Sequence, residues 1–242
     1  MKRIKTIIAT GLFLSSCLYL NAQLPKINKE LSSKVSSSFK NSSLTEDEVA
    51  KGIKEALNKG IENGVNLLSA KDGYYKDLSV KIPLPNEAEQ IEEKLRKIGQ
   101  GQLIDNTIES INRAAEDAAN SSKELFIKAI KELTLQDVMN ILNGEQNAAT
   151  TYLSNQTRED LVLKFKPIIE ASLNNVGATK HWRTMISAYN KIPLVQKINP
   201  DLVDYATNKA IDGLFIKIER EEIDIRKNPG ARTTDLLKKV FK

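Results

Sequence analysis

Apolar residues along most of this chain recur every three or four positions, the spacing that gathers them on one face of a helix. The clearest example follows Leu44, where six apolar residues stand at helical spacing: Val49, Ile53, Leu57, Ile61, Val65 and Leu68. Thr45 and Glu48 precede them in the order of a capping box, in which hydroxyl and carboxylate each bind a free N–H group of the first turn. The pattern therefore predicts a first helix that starts at Thr45.

Small residues form a second row beside this apolar stripe, again four positions apart: Gly52, Ala56, Gly60 and Gly64. A glycine inside a helix costs about 1 kcal/mol relative to alanine. Three glycines on one face therefore indicate that another helix approaches closely there.

Capping residues and glycines divide the middle of the chain into further helices. Helix starts are predicted at Asn86 with Glu89 as its capping partner, at Ser121 or Ser122, at Thr134 with Asp137, at Thr157 with Asp160, and at Thr179. Helix ends are predicted at Gly99, Gly144 and Gly177. Residues 147–153 are expected to form a separate helical piece, and Pro167 is expected to kink the helix that contains it.

A long helix is predicted near the C-terminus, where Asn199 caps a first turn that begins with Pro200. Apolar residues cover more than half of its circumference, which is typical of a central helix packed on several sides. After Ile218 the residues are mostly charged, so its last turns are expected to reach water. Asn228–Gly230 end the helix, and a short amphipathic helix runs from there to Phe241.

Two proline-containing segments interrupt the helices. The first arm runs from Tyr74 to Pro85 and contains Lys-Ile-Pro-Leu at residues 81–84, and the same four residues recur at 191–194 in a second arm. Both are expected to wrap the helices in extended conformation, because proline excludes them from a central sheet. We therefore predict an all-α fold, with residues 45–242 as a single helical domain: an irregular multi-helix bundle around the long C-terminal helix, with two extended arms.

The N-terminus has the pattern of a bacterial export signal. Lys2, Arg3 and Lys5 precede an apolar run over residues 6–20, which is too short to remain as a bilayer-spanning anchor. Ala22 offers a small-residue cleavage site, which predicts that residues 1–23 are removed and that the mature chain has no transmembrane span.

A second interpretation places processing at the single cysteine. Residues 14–17 resemble a lipobox, in which Cys17 carries a lipid and becomes the new N-terminus. The apolar residues 18–20 count against it, because a lipoprotein normally turns polar at that point, so simple secretion is favoured.

Residues 24–44 are rich in Ser and Lys and are predicted to form a tether or a marginal helix.

Composition and charge reduce the number of function classes that fit the chain. The chain has 242 residues, 28% of them charged, and a formal net charge of +5, of which the three cations of the leader account for all but +2. This near balance, and the lack of a basic run interleaved with aromatic residues, argue against nucleic-acid binding. No cysteine pair remains in either mature form, so the domain folds without an internal disulfide.

No residue pattern predicts a cofactor, a metal site or a catalytic residue. One histidine, His181, and one cysteine cannot supply the ligands of a zinc site. Glu219 and Glu222 share a helix face, but no Glu-x-x-His pair accompanies them, and they are expected to belong to a solvated charged surface. Gly99 and Gly101 follow no predicted strand, so a helix end explains them better than a phosphate-binding loop.

The densest set of candidate functional residues follows the long helix. The predicted binding residues are Arg226, Asn228, Arg232, Thr233 and Asp235, here called the tail cluster, together with Arg113 and Tyr152. Two arginines beside a new helix N-terminus at Thr233 or Thr234 suit an anionic group. In the alternative interpretation, which is favoured, the arginines pair with acidic side chains or bind last-turn carbonyl groups and lock the tail onto the bundle.

Several motifs together resemble the bacterial family called domain of unknown function 4197. They are Gly52–Leu57, Asp72–Tyr75, Ile82–Pro85, Asn112–Glu116, Ala148–Tyr152, Asp212–Phe215, Glu221-Glu222, Ile225-Arg226, Asn228-Pro229 and Ala231–Phe241. The resemblance spans Thr45 to the C-terminus and implies an exported, all-helical bacterial protein. It implies no activity and no catalytic residue.

Three functional hypotheses follow. The first is a non-enzymatic protein of the bacterial cell envelope, a binding or interaction module located in the periplasm or held at a membrane by a lipid on Cys17, with an envelope protein or a lipid-like ligand as partner. The second is a carrier that encloses an apolar or lipid-like ligand between its helices. The third is a metal-independent enzyme that uses carboxylates.

Overall fold

Helices make up most of the chain in this computed structural model, which describes residues 44–191, 193–194, 197–199 and 201–241, and for Ala188 only the backbone. In chain order they are α1 (Glu46–Ser69), α2 (Glu89–Lys97), α3 (Gly101–Ala119), α4 (Lys123–Glu132), α5 (Leu135–Asn143), α6 (Ala148–Asn175), α7 (Ala178–Tyr189), α8 (Leu202–Lys227) and α9 (Asp235–Val240). The described residues contain no β-strand, and the predicted all-α fold is confirmed. The predicted export signal, Cys17 and the tether up to residue 43 lie outside the described residues.

Two helices start at the capping boxes that the sequence predicts. The Thr45 hydroxyl accepts from the Glu48 N–H group at 3.2 Å, and the Glu48 carboxylate accepts from the Thr45 N–H group at 2.8 Å. Thr134 and Asp137 repeat the arrangement at the start of α5. Both boxes satisfy N–H groups that a first turn leaves without helical partners.

Glycines in the left-handed conformation end two helices, as predicted. Gly99 has φ = +78° and Gly177 has φ = +70°. After α2, the Gln100 N–H group donates to the Leu95 carbonyl at 2.8 Å and the Gly99 N–H group donates to the Arg96 carbonyl at 3.1 Å. These two bonds form a Schellman motif, which requires the positive φ that glycine adopts without strain.

The predicted helix start at Thr157 with Asp160 is wrong, because α6 continues without interruption from Ala148 to Asn175. The Thr157 hydroxyl does not cap a helix but donates to the Leu153 carbonyl at 2.7 Å, one turn earlier. Residues 147–153 are therefore not a separate helical piece. Pro167 lies inside α6 as predicted, and the kink stays a prediction.

Two further predicted caps are wrong in their residues. No side chain caps α2; a 3-10 turn over Asn86–Ala88 precedes it in place of an Asn86 to Glu89 box. The long helix α8 begins at Leu202 and is capped by Asp201, whose carboxylate accepts from the Asp204 N–H group at 3.0 Å. The other two predicted starts, at Ser121 or Ser122 and at Thr179, lie close to the observed ones. Helix α4 begins after Ser122, whose hydroxyl makes no cap bond, and α7 begins one residue before Thr179.

Helix α8 is the centre of the domain, as predicted. It packs against α1, α3, α6 and α7, and its residues Ala206, Ala210 and Leu214 are completely buried. The last turns of α8 were expected to reach water. This expectation is wrong for one face of the helix, since Glu222 and Ile225 are also buried. None of the described helices combines the length and the apolarity that crossing a bilayer requires.

The row of small residues on α1 is where two other helices approach. A Cβ atom added to Gly64 would lie 3.6 Å from the Lys217 Cβ atom on α8. One added to Gly52 would lie 2.7 Å from a Val240 methyl carbon on α9, which is too close for the helices to keep their positions. The predicted close helix approach is confirmed, and it involves both α8 and α9.

The first arm consists mostly of turns over residues 74–80 and has no regular secondary structure over residues 81–85, so the predicted extended conformation is wrong for its first half. Val80, Ile82 and Leu84 are buried. The Asn112 side-chain amide binds the backbone of Ile82 on both sides. It accepts from the Ile82 N–H group and donates to the Ile82 carbonyl, each at 2.8 Å. Tyr74, at the start of the arm, is completely buried and donates to the Ala210 carbonyl at 2.7 Å.

The second arm differs from the first. Pro193 and Leu194 are exposed, and Leu194 adopts φ = +65°. The arm closes at its far end, where the Asn190 side-chain amide donates to the Ile198 carbonyl at 2.7 Å and accepts from its N–H group at 2.9 Å. Among the described residues 191–199 of this arm only Ile198 is buried, so they do not pack on the helices as the first arm does.

Candidate functional site

Glu222 is the buried centre of the network around the tail cluster. Its carboxylate accepts from the Ala149 N–H group at 3.0 Å and from the Thr150 N–H group and hydroxyl, both at 2.8 Å. A carboxylate from α8 thus caps the N-terminus of α6, where the first-turn N–H groups and the helix dipole favour negative charge. The sequence had predicted that Glu222 belongs to a solvated charged surface. That prediction is wrong, because Glu222 is buried.

Arg226 completes this network from the next turn of α8. Its guanidinium donates to the Glu222 carboxylate from Nε at 3.0 Å and from Nη2 at 2.9 Å. The same Nη2 atom donates to the Ile141 carbonyl at 2.7 Å, near the end of α5. The Arg226 side chain therefore links α8 to α5 and, through Glu222, to α6, and its Nε and Nη2 atoms both donate inside the protein.

Arg232 and Asn228 hold the chain where α8 ends. Arg232 donates to the Ile225 carbonyl at 2.9 Å and to the Arg226 carbonyl at 2.6 Å, so it binds last-turn carbonyl groups that have no helical partner. The Asn228 side chain accepts from the Gly230 N–H group at 2.9 Å, which fixes the turn at Pro229. These contacts are the ones that the alternative interpretation of the tail predicts, and the predicted binding of an anionic group by the tail cluster stays a prediction.

The last two members of the tail cluster lie nearer the surface. The Thr233 hydroxyl accepts from the Lys59 ammonium group, which ties the tail to α1. Asp235 is exposed and lies 3.4 Å from the Lys238 ammonium group one turn later. Thr234, not Thr233, caps α9, with its hydroxyl accepting from the Leu237 N–H group at 3.2 Å.

A small cavity lies under the tail, between α1, α8 and Phe241. It has a volume of about 20 Å³ and is lined mainly by apolar side chains such as Ile53, Leu57 and Ile218. That volume holds about one water molecule. A lipid-sized ligand would fit there only if α1, α8 and the tail moved apart.

Arg113 belongs to a different ionic cluster. Its guanidinium donates to Glu116 at 2.8 Å, to Asp72 at 2.8 Å and to Glu109 at 3.1 Å. These contacts raise the pKa of Arg113, with Glu116 as the largest cause, and the neighbouring Lys76 and Arg113 lower the pKa of Asp72. The other Glu116 oxygen accepts from the backbone N–H groups of residues 74 and 75, both at 3.1 Å, so the cluster fixes the turn between α1 and the first arm.

The structure does not bring Arg113 to the tail cluster. Arg113 binds Asp72, beyond the C-terminal end of α1, whereas the tail packs on Gly52 near the N-terminal end. The helical rise places these ends about 25 Å apart. The predicted contact surface is therefore divided between two places.

Tyr152 lies near the start of α6. It is half-buried, and it follows Thr150, which binds Glu222, by two residues. Burial raises the pKa of the Tyr152 hydroxyl, and the charges of Asp137 and Glu132 act in the same direction. Tyr152 thus lies on the side of α6 that approaches these two carboxylates, and its predicted binding role stays a prediction.

A groove between the first arm and α8 lies in the described part of the chain. This arm groove has a volume of about 480 Å³. Its lining includes Lys81, Pro83, Glu87, Tyr205, Lys209 and Ile216. The Tyr205 hydroxyl crosses its floor and donates to the Pro83 carbonyl at 3.0 Å. Partial burial raises the pKa of this hydroxyl to about 12, so it remains a hydrogen-bond donor at neutral pH.

The prediction of functional residues missed Asn112, Glu116 and Asp77, which position the first arm. Asn112 and Glu116 stand in the Asn-Arg-Ala-Ala-Glu motif that carried part of the family resemblance, so a signal for them was present. Asp77 accepts from Lys217, on α8, and only the folded chain brings these two residues together. No group of three or more metal-ligating side chains gathers anywhere in residues 44–241 as far as the structure describes them.

The comparisons with known proteins place this domain in a family. A family model described as "Protein of unknown function (DUF4197)" matches residues 43–242. No curated protein and no solved structure matches the chain. The matched range contains the arm groove and the tail cluster, and it confirms the resemblance that the sequence motifs indicated. The chain therefore belongs to the DUF4197 family of proteins of unknown function.

Proposed function

We propose that this chain is a non-enzymatic binding module of the bacterial cell envelope and that the arm groove is its contact surface. The observation that carries the proposal is the groove itself, a concavity of about 480 Å³ between the first arm and the central helix. This volume lies in the range of established ligand sites. The groove also lies beside an irregular segment that side-chain hydrogen bonds anchor to the helices.

Side-chain contacts from α8 and α3 hold the arm in place. The Asp77 carboxylate binds the Lys217 ammonium group, and the hydroxyl of Ser79 accepts from Arg220 at 2.7 Å. Further along, the Asn112 amide holds Ile82 and the Tyr205 hydroxyl holds Pro83. A groove whose walls are already fixed loses little conformational entropy when it binds a partner.

The lining of the groove favours a polypeptide as the occupant. Lys81 and Lys209 lie in the same groove as Glu87, so no single sign of charge dominates. Ile216 and Pro83 add exposed apolar surface. Mixed charge with apolar contacts is typical of protein interfaces, whereas a polyanion would require a cationic lining. We propose an extended segment of an envelope protein as the partner.

The buried carboxylates support a binding protein over a carboxylate enzyme. Glu116 and Glu222 each accept two backbone N–H groups and an arginine, so both are engaged in holding the fold. An apolar carrier gains little support from the tail cavity, which has room for about one water molecule. The envelope location rests on the cationic and apolar pattern of residues 1–23 and stays a prediction.

Photocross-linking in the native host tests the groove. A photoreactive amino acid at Ile216 is expected to give a discrete protein adduct, because this side chain is 36% exposed within the groove. Ile127 on α4 is the matched control, since it is 42% exposed and does not line the groove. Mass spectrometry of the adduct should map the contact to one continuous segment of the partner.

Two results would overturn the proposal. Equal adducts at Ile216 and Ile127 would show nonspecific proximity. A lipid adduct at Ile216, or none in cells that express the protein at its normal level, would remove the groove as a protein-binding surface.

A further inference from the structure

The segment from Val176 to Asn199 is basic and contains no acidic residue. Its cations are Lys180, Arg183, Lys191 and Lys197. Residues 44–242 as a whole contain one more acidic than basic side chain, so positive charge is concentrated in this segment. A local excess of this kind produces a positive potential over α7 and the second arm.

These four cations, here called the basic face, are all exposed. None of them forms a salt bridge with a carboxylate of the described residues. The acidic residues nearest to this segment in the sequence are Glu170 on α6, and Asp201 and Asp204 at the start of α8. Asp201 caps α8, and Asp204 lies 3.5 Å from the Lys166 ammonium group.

The repeated tetrapeptide provides an internal comparison for the apolar part of this surface. Lys-Ile-Pro-Leu occurs at 81–84 and at 191–194. In the first arm Leu84 is 4% exposed, whereas in the second arm Leu194 is 106% exposed. The same leucine is a core residue in one arm and has no packing partner among the described residues in the other.

The backbone holds Leu194 in this outward position. A leucine with φ = +65° is rare, because its Cβ atom crowds the following carbonyl group. Both sides of the turn are fixed, since the Asn190 amide binds the backbone of Ile198, and Ile198 is only 3% exposed. The leucine is thus displayed at a turn whose base is anchored in the domain.

We propose that the basic face and Leu194 dock on the surface of an anionic lipid bilayer, with the leucine inserted between the lipid headgroups. Basic residues near an anionic leaflet each strengthen attachment, and an apolar side chain at the tip adds hydrophobic contact. Leu194 is one fully exposed side chain, whereas a specific protein partner requires about 800 Å² of complementary surface on each side. A bilayer surface needs no such preformed complementary surface, because its headgroups rearrange around a single inserted side chain. This proposal is independent of the arm groove, which lies on other elements.

Site-specific quenching tests the inserted residue in the full chain. The L194W variant is mixed with vesicles of phosphatidylglycerol and phosphatidylcholine whose acyl chains carry bromine, and its fluorescence is compared with that of wild type. The native Trp182 is 1% exposed and contributes a constant background. The L78W variant is the control, because Leu78 is a comparable leucine in the first arm and is 90% exposed.

Strong quenching of L194W by the anionic vesicles, severalfold greater than that of L78W, is the expected result. Brominated vesicles of phosphatidylcholine alone should quench neither. Equal quenching of the two variants, or none in L194W, would overturn the proposal. So would a response of L194W to polyglutamate but not to vesicles, which would assign the basic face to an acidic protein partner.

Two further variants separate binding from folding. L194G should keep or raise the melting temperature, because glycine adopts positive φ without strain, and should lower vesicle affinity about tenfold. The R183Q/K191Q pair should lower it roughly 25-fold, at about fivefold per cation. The control pair K94Q/K128Q removes the same charge from exposed positions elsewhere and should stay within about twofold of wild type. An equal loss in both pairs would show that net charge alone drives binding and would contradict the proposal.

Discussion

Glu222 shows how one side chain organises the region that looked most functional. Its carboxylate caps α6 and pairs with Arg226, which in turn binds the end of α5. Each charge is buried together with its partner, so each depends on the other to offset the cost of leaving water. The high density of charged residues at the end of α8 is therefore explained largely by the joining of three helices.

Replacing Glu222 tests this role directly. In E222Q, an amide NH₂ group would face N–H donors or Arg226 would lose its charged partner. We expect a loss of about 3 kcal/mol in the free energy of unfolding, measured by urea denaturation. The control E221Q affects a carboxylate that accepts only from Asn63 at 3.0 Å, and it should cost less than about 0.5 kcal/mol. Similar losses in both variants would contradict the capping role.

Asp77 makes the anchoring of the first arm dependent on pH. The Lys217 ammonium group, and after it the Ser79 hydroxyl, lower the pKa of the Asp77 carboxyl from 3.8 to about 2. A lowered pKa means that the ionised form stabilises the folded state. The stabilisation is complete above the unfolded pKa, near pH 4, and is lost as the pH falls through about 2.

The D77N variant removes this titration. At pH 6 we expect it to be about 1 kcal/mol less stable than wild type, a modest value because Asp77 is 34% exposed. Urea denaturation between pH 6 and pH 2 should show the difference shrinking as the pH falls. A difference that stays constant over this range would mean that Asp77 does not anchor the arm electrostatically.

At the scale of helices, the small residues of the bundle differ in what surrounds them. A Cβ atom on Gly213 of α8 would lie 2.7 Å from the Tyr74 ring, which is buried and fixed by its hydroxyl. A Cβ atom on Gly64 would meet its nearest neighbour at an ordinary 3.6 Å. The same substitution is therefore expected to have opposite effects at the two glycines.

We predict that G213A lowers the free energy of unfolding by about 2 kcal/mol, because the ring of Tyr74 cannot move without losing its hydrogen bond. G64A should raise it by up to about 1 kcal/mol, because alanine favours the helix and costs less entropy on folding. Thermal and urea denaturation of the two variants measure both effects. Destabilisation by G64A equal to that by G213A would show that α1 and α8 tolerate no added methyl group.

Helix boundaries were predictable where the signal is local. The boxes at Thr45 and Thr134 and the glycines that end α2 and α6 act within a few residues, so the sequence contains the whole cause. Thr157 and Asp160 form the same pattern, yet α6 continues through them, because Leu161 and Phe165 bury a continuous stripe against neighbouring helices. Tertiary packing overrides a local cap where the helix has a partner along its length.

The candidate sites were harder to predict, because their contacts join distant parts of the chain. Glu222 binds residues more than seventy positions away, and no periodicity or motif in its neighbourhood indicates a buried partner. The arm groove likewise requires the first arm and α8 to meet. The exposure of Leu194 was not predictable from its tetrapeptide, since the identical residues at 81–84 are packed into the core.

At the scale of the whole molecule, the mass of the intact protein recovered from its host tests the predicted processing of its N-terminus. We predict a chain that begins within one or two residues of Gln23 and carries no lipid, because Ala22 suits a signal peptidase and apolar residues follow Cys17. Mass spectrometry of protein from its own host measures this directly. A chain that begins at Cys17 with an added lipid mass would contradict the prediction and would anchor the domain covalently at a membrane.

The packing of α9 on α1 also determines when the domain can close. Leu237 is buried together with Ala56, and Val240 lies against Gly52, so the first of the described helices is covered by the last one. A chain whose synthesis has not yet passed residue 240 lacks this cover. Contacts so distant in sequence slow folding, because a long loop must close before they form. Until α9 has been made, Gly52 and Ala56 therefore stay exposed on α1, and this part of the core remains incomplete.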